Sequence, residues 1–141
     1  MSTFSITSED FKEGEEIPKK FGYKFENEQP NIRFGYLPDG TETFALIMDD
    51  PDAMKAVGKV WVHWLTYHGV NDNTKIEGKT DFGEIGYGGP APPDGRHTYI
   101  FKGYALDTLL DLKEGYSKQE LEVAMQGHIL AEAKLTGTFA P

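Results

Sequence analysis

Residues Lys59–Gly69 read KVWVHWLTYHG, a run of valine, tryptophan, threonine and tyrosine with no proline and no glycine before its end. Such β-branched and aromatic residues suit the pleated, half-buried surface of a sheet. Strict alternation puts Trp61, His63 and Leu65 on one face and Val62, Trp64 and Thr66 on the other. Working outward, Thr41–Asp49 (TETFALIMD) is a second strand, short and apolar, bounded by Pro38-Asp39-Gly40 before it and Pro51 after it. Arg96–Leu106 (RHTYIFKGYAL) is a third, with His97, Tyr99 and Phe101 on one face. Ile32–Tyr36 adds another strand and Phe4–Thr7 a weak edge strand. One helix is predicted late in the chain. Ser117-x-x-Glu120 has the form of a capping box, and Leu121, Ala124, Met125, His128 and Ile129 follow at helical spacing. Gly137 ends that region, Thr138-Phe139 adds a short last strand, and a brief helical piece fits Asp107–Leu112. Five short strands with one late helix predict a mostly-β sandwich with a helical appendage.

The chain has 141 residues, enough for one domain over 1–141 and a single core. It has no cysteine, which excludes a disulfide scaffold, a thiolate metal site and a cysteine nucleophile. A net charge of -9 argues against non-specific binding to nucleic acid or an anionic membrane, since both need basic surface. No apolar run approaches the ~20 residues of a membrane span, so no stable membrane insertion is expected. The N-terminus lacks a basic run followed by an apolar stretch, so a cytoplasmic location is expected.

The longest irregular stretch, Asp81–Gly95 (DFGEIGYGGPAPPDG), is too long to be idle inside a compact domain. Gly86-x-Gly88-x-x-Ala91 formally matches a dinucleotide fingerprint. Pro90, Pro92 and Pro93 remove the amide donors and the helix start on which that motif depends. A rigid turn is left, with free N–H groups expected at Gly88, Gly89 and Ala91, either as an anion cradle or as a plain connection. His97 and Tyr99 point the same way just beyond it, a pairing that suits an anionic ligand and equally suits a strand end. His63, in its tryptophan-flanked strand, has Asp50-Pro51-Asp52 upstream, and an aspartate orients an imidazole and favours its charged form. His68 reads as surface and His128 as core. No pair of histidines has helix-face metal spacing, so neither metal nor cofactor is expected.

Asp50-Pro51-Asp52-Ala53, Trp61-Val62-His63-Trp64, Gly86-Tyr87-Gly88-Gly89-Pro90-Ala91-Pro92-Pro93-Asp94-Gly95 and His97-Thr98-Tyr99-Ile100-Phe101 occur in this order. Together they resemble the phosphatidylethanolamine-binding protein family, also called the Raf kinase inhibitor protein family, in its bacterial and archaeal branch. Thr80-Asp81-Phe82-Gly83 and the stretch Gly127–Ala133, expected in the helix, are similar to that branch too. The resemblance implies a β-sandwich with a large antiparallel central sheet, a smaller second sheet and a helix in the C-terminal region. It also implies a small cavity for phosphate, phosphorylated headgroups or acetate-like ions, lined by Asp50, Trp61, His63, Gly89, Ala91, His97 and Tyr99. In that picture His63, His97 and the Ala91 amide donate to the anion, and Asp52 and Pro92 are structural neighbours of the pocket.

The resemblance implies a binding site rather than a catalytic one, so a non-enzymatic binder of a small anionic ligand is expected. Two other readings stand beside it: a hydrolase or lyase using Asp50, His63 and His97 for acid–base work, and an inhibitor acting on a kinase or protease by protein contact. A homodimer is implied by resemblance alone, and no protein partner is legible. The departures are specific. Met54 stands where the family has a proline that helps wall the pocket, so a softer or more apolar rim is expected. Thr98 stands where it has an arginine, Gln29 precedes Pro30 where it has serine, and Phe34 takes the place of a tryptophan. The animal kinase-inhibitor activity is not carried over.

Overall fold

A computed structural model describes residues 3–141, so the first two residues of the expected domain lie outside the described part. In chain order the strands and α-helices are β1 (Ser5–Thr7), β2 (Arg33–Gly35), β3 (Thr43–Asp50), α1 (Ala53–Val57), β4 (Trp61–Gly69), β5 (Lys75–Glu77), β6 (His97–Leu106), α2 (Lys118–Met125) and β7 (Ile129–Phe139). A 3-10 turn at Lys19–Phe21 precedes β2. Five strands form one antiparallel sheet in the order β5-β4-β3-β6-β7, and β1 pairs with β2 in a small second sheet. The mostly-β architecture with two unequal sheets is therefore the one expected.

The central sheet is apolar on both faces, which explains why its middle strands read as near-continuous hydrophobic runs. One face carries Leu46, Met48, Trp64, Tyr99, Phe101 and Leu135 and is covered by Ile6, Phe11, Ile17 and Phe21 from the N-terminal third. The other carries Ala45, Ile47, Leu65, Tyr67 and Leu106 and is covered by Leu110, Tyr116, Leu121 and Met125. Each such fully buried large side chain contributes about 1.5–3 kcal/mol of transfer free energy.

Two features differ from the expectations in ways that matter below. The first is a β-bulge. Met48 pairs with Trp64, but Asp49 pairs with Val62, so β4 has one residue more than β3 at this point. Strict alternation fails there, and His63 falls on the same face as Trp64 instead of the opposite one. Val62 correspondingly packs with Leu65. The second is the end of α2. The capping box at Ser117 and Glu120 forms, but the helix stops at Met125. Gly127 follows with φ +81°, a left-handed turn that glycine adopts without steric cost. The residues from Ile129 onward form an eleven-residue strand paired along β6, not a helix followed by a two-residue strand. His128 is half exposed and bonded to Asp107 (2.9 Å), not buried in the core. The segment 107–112 forms no helix; the Leu110 N–H donates instead to the Tyr67 hydroxyl (2.6 Å). Among the described residues no helix is long and apolar enough to cross a membrane.

Candidate functional site

The end of the central sheet where β3 exits and β4 and β6 enter gathers the polar side chains singled out in the sequence. Asp50 closes β3, His97 opens β6, and the bulge turns His63 toward them. His63 is buried, and its ring packs edge-on against Tyr99 with centroids 5.1 Å apart. The loop before β6 holds it in place. Gly88 N–H donates to the His63 carbonyl at 2.8 Å, and the His63 ring donates from Nδ1 to the Gly88 carbonyl at 2.7 Å. A carbonyl only accepts, so Nδ1 carries the proton. Burial pulls the His63 pKa below the ordinary histidine value, outweighing the nearby Gly88 carbonyl and Asp50. In the neutral ring, Nε2 is then a bare acceptor, so His63, expected to donate to the anion, offers it a lone pair instead.

His97 is held differently. Its Nδ1 lies 2.6 Å from Asp50 Oδ2 and its Nε2 lies 2.6 Å from Asp94 Oδ1. Burial works to lower its pKa, but the two carboxylates outweigh burial and raise it. An imidazole flanked by two acceptors is the protonated form, donating from both nitrogens. It thus has no N–H left for a ligand. This corrects the expectation that His97 donates to the anion: its partner Asp94, three residues earlier in the loop, takes that bond.

The loop amides need a similar correction. Gly88 is committed to His63, and Gly89 N–H donates to Asn27 Oδ1 at 2.8 Å. The Ala91 amide lies against the Tyr99 hydroxyl. Gly89 therefore offers no free donor. Its place is steric, because a Cβ there would lie 1.9 Å from the Phe21 carbonyl oxygen.

A cavity of about 120 Å³ opens between Asp50, Trp61, His63 and Ala91, walled by Ala53, Ala56, Val57, Phe82 and Pro93. At ~30 Å³ per water it has the room of about four waters. Three buried polar atoms of the described residues have no hydrogen-bond partner: Asp50 Oδ1, Trp61 Nε1 and the Tyr99 hydroxyl. All three belong to this corner of the fold. Tyr99 lies close to Asp50 and the Ala91 amide without a well-formed bond to either. Burial and the Asp50 charge push its pKa well above the ordinary tyrosine range, so it stays an O–H donor. Unpaired buried polar atoms are costly, and two on residues that line the cavity mark a place where a ligand or water completes the bonding.

Of the residues expected at the site, Asp50, Trp61, His63 and Ala91 line the cavity, Tyr99 stands against His63, and His97 stands behind Asp50. Asp52 accepts from the Thr98 N–H (2.8 Å), tying the corner after β3 to β6, and Pro92 is buried in the loop before β6. Met54 is about half exposed and faces a separate surface depression beside His97, so it does not form the cavity rim. Its N–H donates to the Pro51 carbonyl at 3.2 Å, a bond proline could not make. The wall residues of α1, Phe82 and the acceptor Asp94 were not singled out in the sequence. Asp94 was the accessible one, three residues before His97 in a turn.

A larger groove of about 360 Å³ lies further along the same face, between Pro30, Phe34, Phe44, Trp64 and His68. There His68, expected at the surface, is half buried, stacked on Phe44 and bonded to Thr66. The Trp64 indole donates to Glu77. None of the three unpaired buried atoms lies among its lining residues, so the smaller cavity is the better candidate.

Comparison with known proteins agrees with this placement of the fold. Residues 7–140 match the family model for phosphatidylethanolamine-binding protein. A UPF0098 protein of Methanothermobacter thermautotrophicus is 40% identical, across 92% of this chain and 93% of its own length. A UPF0098 protein of Chlamydia muridarum is 39% identical, across 95% and 97%. Among solved structures, a phosphatidylethanolamine-binding protein homologue from Chlamydia trachomatis superposes with a TM-score of 0.88 at 35% identity, covering 98% of this chain and 97% of that one. Escherichia coli YbcL, described as a member of the mammalian family, gives 0.88 at 26% identity and 98% coverage of both chains.

Proposed function

The chain belongs to the phosphatidylethanolamine-binding protein family, and from that premise we propose that its small cavity binds a small oxyanion (phosphate, a phosphorylated headgroup or a carboxylate) without transforming it. The observation that supports this most is that two residues lining one cavity carry unpaired buried atoms, Trp61 Nε1 as donor and Asp50 Oδ1 as acceptor, with the unpaired Tyr99 hydroxyl behind His63. An oxyanion a few atoms across fits the space and completes their bonds. Hydrogen bonds to a charged acceptor are the strong kind.

The acid–base reading draws less support. His97 is fastened at both nitrogens, so a hydrolase would have to work with His63 alone. General acid–base chemistry needs a group free to take a proton from, or give one to, the reacting atoms. Among the described residues no serine, cysteine or threonine lines the cavity. A homodimer, a cytoplasmic location and a regulatory role belong to the same proposal and rest on the family.

The test is a calorimetric titration of the full chain with inorganic phosphate and with acetate, repeated on Trp61→Phe, which removes the unpaired donor. Saturable binding by the wild type that weakens in the variant supports the reading. Full retention of binding in the variant, or no binding by the wild type, overturns it.

A further inference from the structure

We propose that the cavity selects an oxyacid that still carries a hydrogen, a phosphomonoester monoanion or dihydrogen phosphate, over sulfate, carboxylate and phosphodiester anions, which carry none. This rests on the oxyanion reading and narrows it to one ligand chemistry.

The basis is a census of donors and acceptors. Trp61 Nε1–H is an unpaired donor on the cavity wall, with the Tyr99 O–H and the Ala91 N–H lying against each other beside it, and any oxyanion satisfies the indole. Two groups can only accept. Asp50 Oδ2 is taken by the His97 ring, and Oδ1 is buried without a partner. His63 has committed its Nδ1–H to the Gly88 carbonyl, which leaves the Nε2 lone pair. A ligand made only of acceptor oxygens would set oxygen against the Asp50 carboxylate in a buried place. The Tyr99 hydroxyl is a donor the protein itself sets close to that carboxylate, and a ligand with an O–H supplies another at the cavity side.

The surrounding charges point the same way. Asp50 comes from β3, His63 from β4, and His97 and Tyr99 from β6, with Asp94 in the loop behind His97. Helix α1 adds only alanine and valine to the wall. Lys59 lies over the Trp61 ring but is paired with Asp81 at 2.8 Å, and Lys55 and Arg96 flank the outer depression beyond His97. Asp49, whose charge also reaches His63, is held by Lys102 at 3.2 Å and Lys118 at 2.8 Å, so among the described residues the one carboxylate in the cavity wall itself is Asp50. That disfavours a dianion and favours a singly charged, protonated ligand.

The discriminating probes are methyl phosphate and methyl sulfate, titrated calorimetrically into the full chain near pH ~5. A phosphomonoester keeps one O–H below its second ionisation at about pH 6, so the two probes share shape and charge there and differ by one hydrogen. Methyl phosphate is expected to bind and methyl sulfate to bind about tenfold more weakly or worse, the scale of leaving a buried acceptor unpaired. Equal affinities overturn the inference and leave the oxyanion reading standing, whereas binding of neither overturns both. A second pair separates the sources of phosphate: phosphoethanolamine, a monoester, against glycerophosphoethanolamine, the diester of a lipid headgroup. Tighter binding of the diester overturns the inference. In Asp50→Asn, whose amide can donate, the gap between the methyl esters is expected to shrink; an unchanged gap assigns the selectivity elsewhere and overturns the role of Asp50.

Discussion

His63 and Gly88 are joined by two reciprocal hydrogen bonds, backbone N–H to carbonyl at 2.8 Å and ring Nδ1–H to carbonyl at 2.7 Å. The bulge in β4 and the glycine-proline loop before β6 are thereby one mechanical unit. The pair fixes the tautomer of the ring and turns its free nitrogen into an acceptor. It also decides which residues keep an unspent hydrogen-bonding group. The tyrosine beside the ring is one of them.

Tyr99→Phe removes a buried hydroxyl that has no partner in the free protein. Removing an unpaired polar group from a core is neutral or stabilising, by up to about 1 kcal/mol. Ligand binding should move the other way, because the hydroxyl is a donor set close to the Asp50 carboxylate of the cavity wall. Thermal unfolding and phosphate calorimetry on the same sample check both. A marked loss of stability would show that Tyr99 serves packing and not the ligand.

The two buried histidines should titrate on opposite sides of the ordinary value of ~6.5. Burial lowers His63; for His97 the bonds to Asp50 and Asp94 outweigh burial and raise it. The linkage signs are opposite as well. The His97 contribution to stability is complete below pH ~6.5 and is lost as pH rises through its raised folded value. That of His63 is present above pH ~6.5 and is lost as pH falls through its depressed one. Ring-proton NMR across this range, with denaturant midpoints for Asp94→Asn, checks the assignment. In that variant the His97 titration should move down while His63 stays in place.

Gly89→Ala should damage the fold itself. The new Cβ would meet the Phe21 carbonyl oxygen at 1.9 Å and the Tyr23 amide nitrogen at 2.9 Å, both backbone atoms that cannot swing aside. Overpacking of this kind costs about 1–3 kcal/mol or more. A urea unfolding curve with its midpoint shifted down is the expected result.

The strands and the identity of the site residues were legible because they rest on local chemistry. TETFALIMD, KVWVHWLTYHG and RHTYIFKGYAL are each rich in β-formers, and each lies in the central sheet. What the chain conceals is set by distant partners. The face of His63 depends on a bulge that Asp81 and Gly88 hold from outside the strand, through the Val62 N–H to Asp81 (2.7 Å) and the bonds to His63. The Gly89 amide is taken by Asn27, 62 residues earlier. The helical spacing through His128 and Ile129 is overruled by Gly127 and by β6, which draws the following residues into the sheet. Local periodicity loses there to long-range pairing.

The central claim is that an oxyanion completes the unpaired groups of this cavity, and the two tryptophans provide its most direct measurement. Trp61 Nε1 is buried and unbonded, whereas Trp64 Nε1 donates to Glu77 at 3.0 Å. In a phosphate titration followed by ¹⁵N–¹H NMR, the Trp61 indole N–H is expected to shift saturably while the Trp64 indole stays in place. A Trp61 signal that does not respond at saturating phosphate, or one that moves only in step with Trp64, would contradict it.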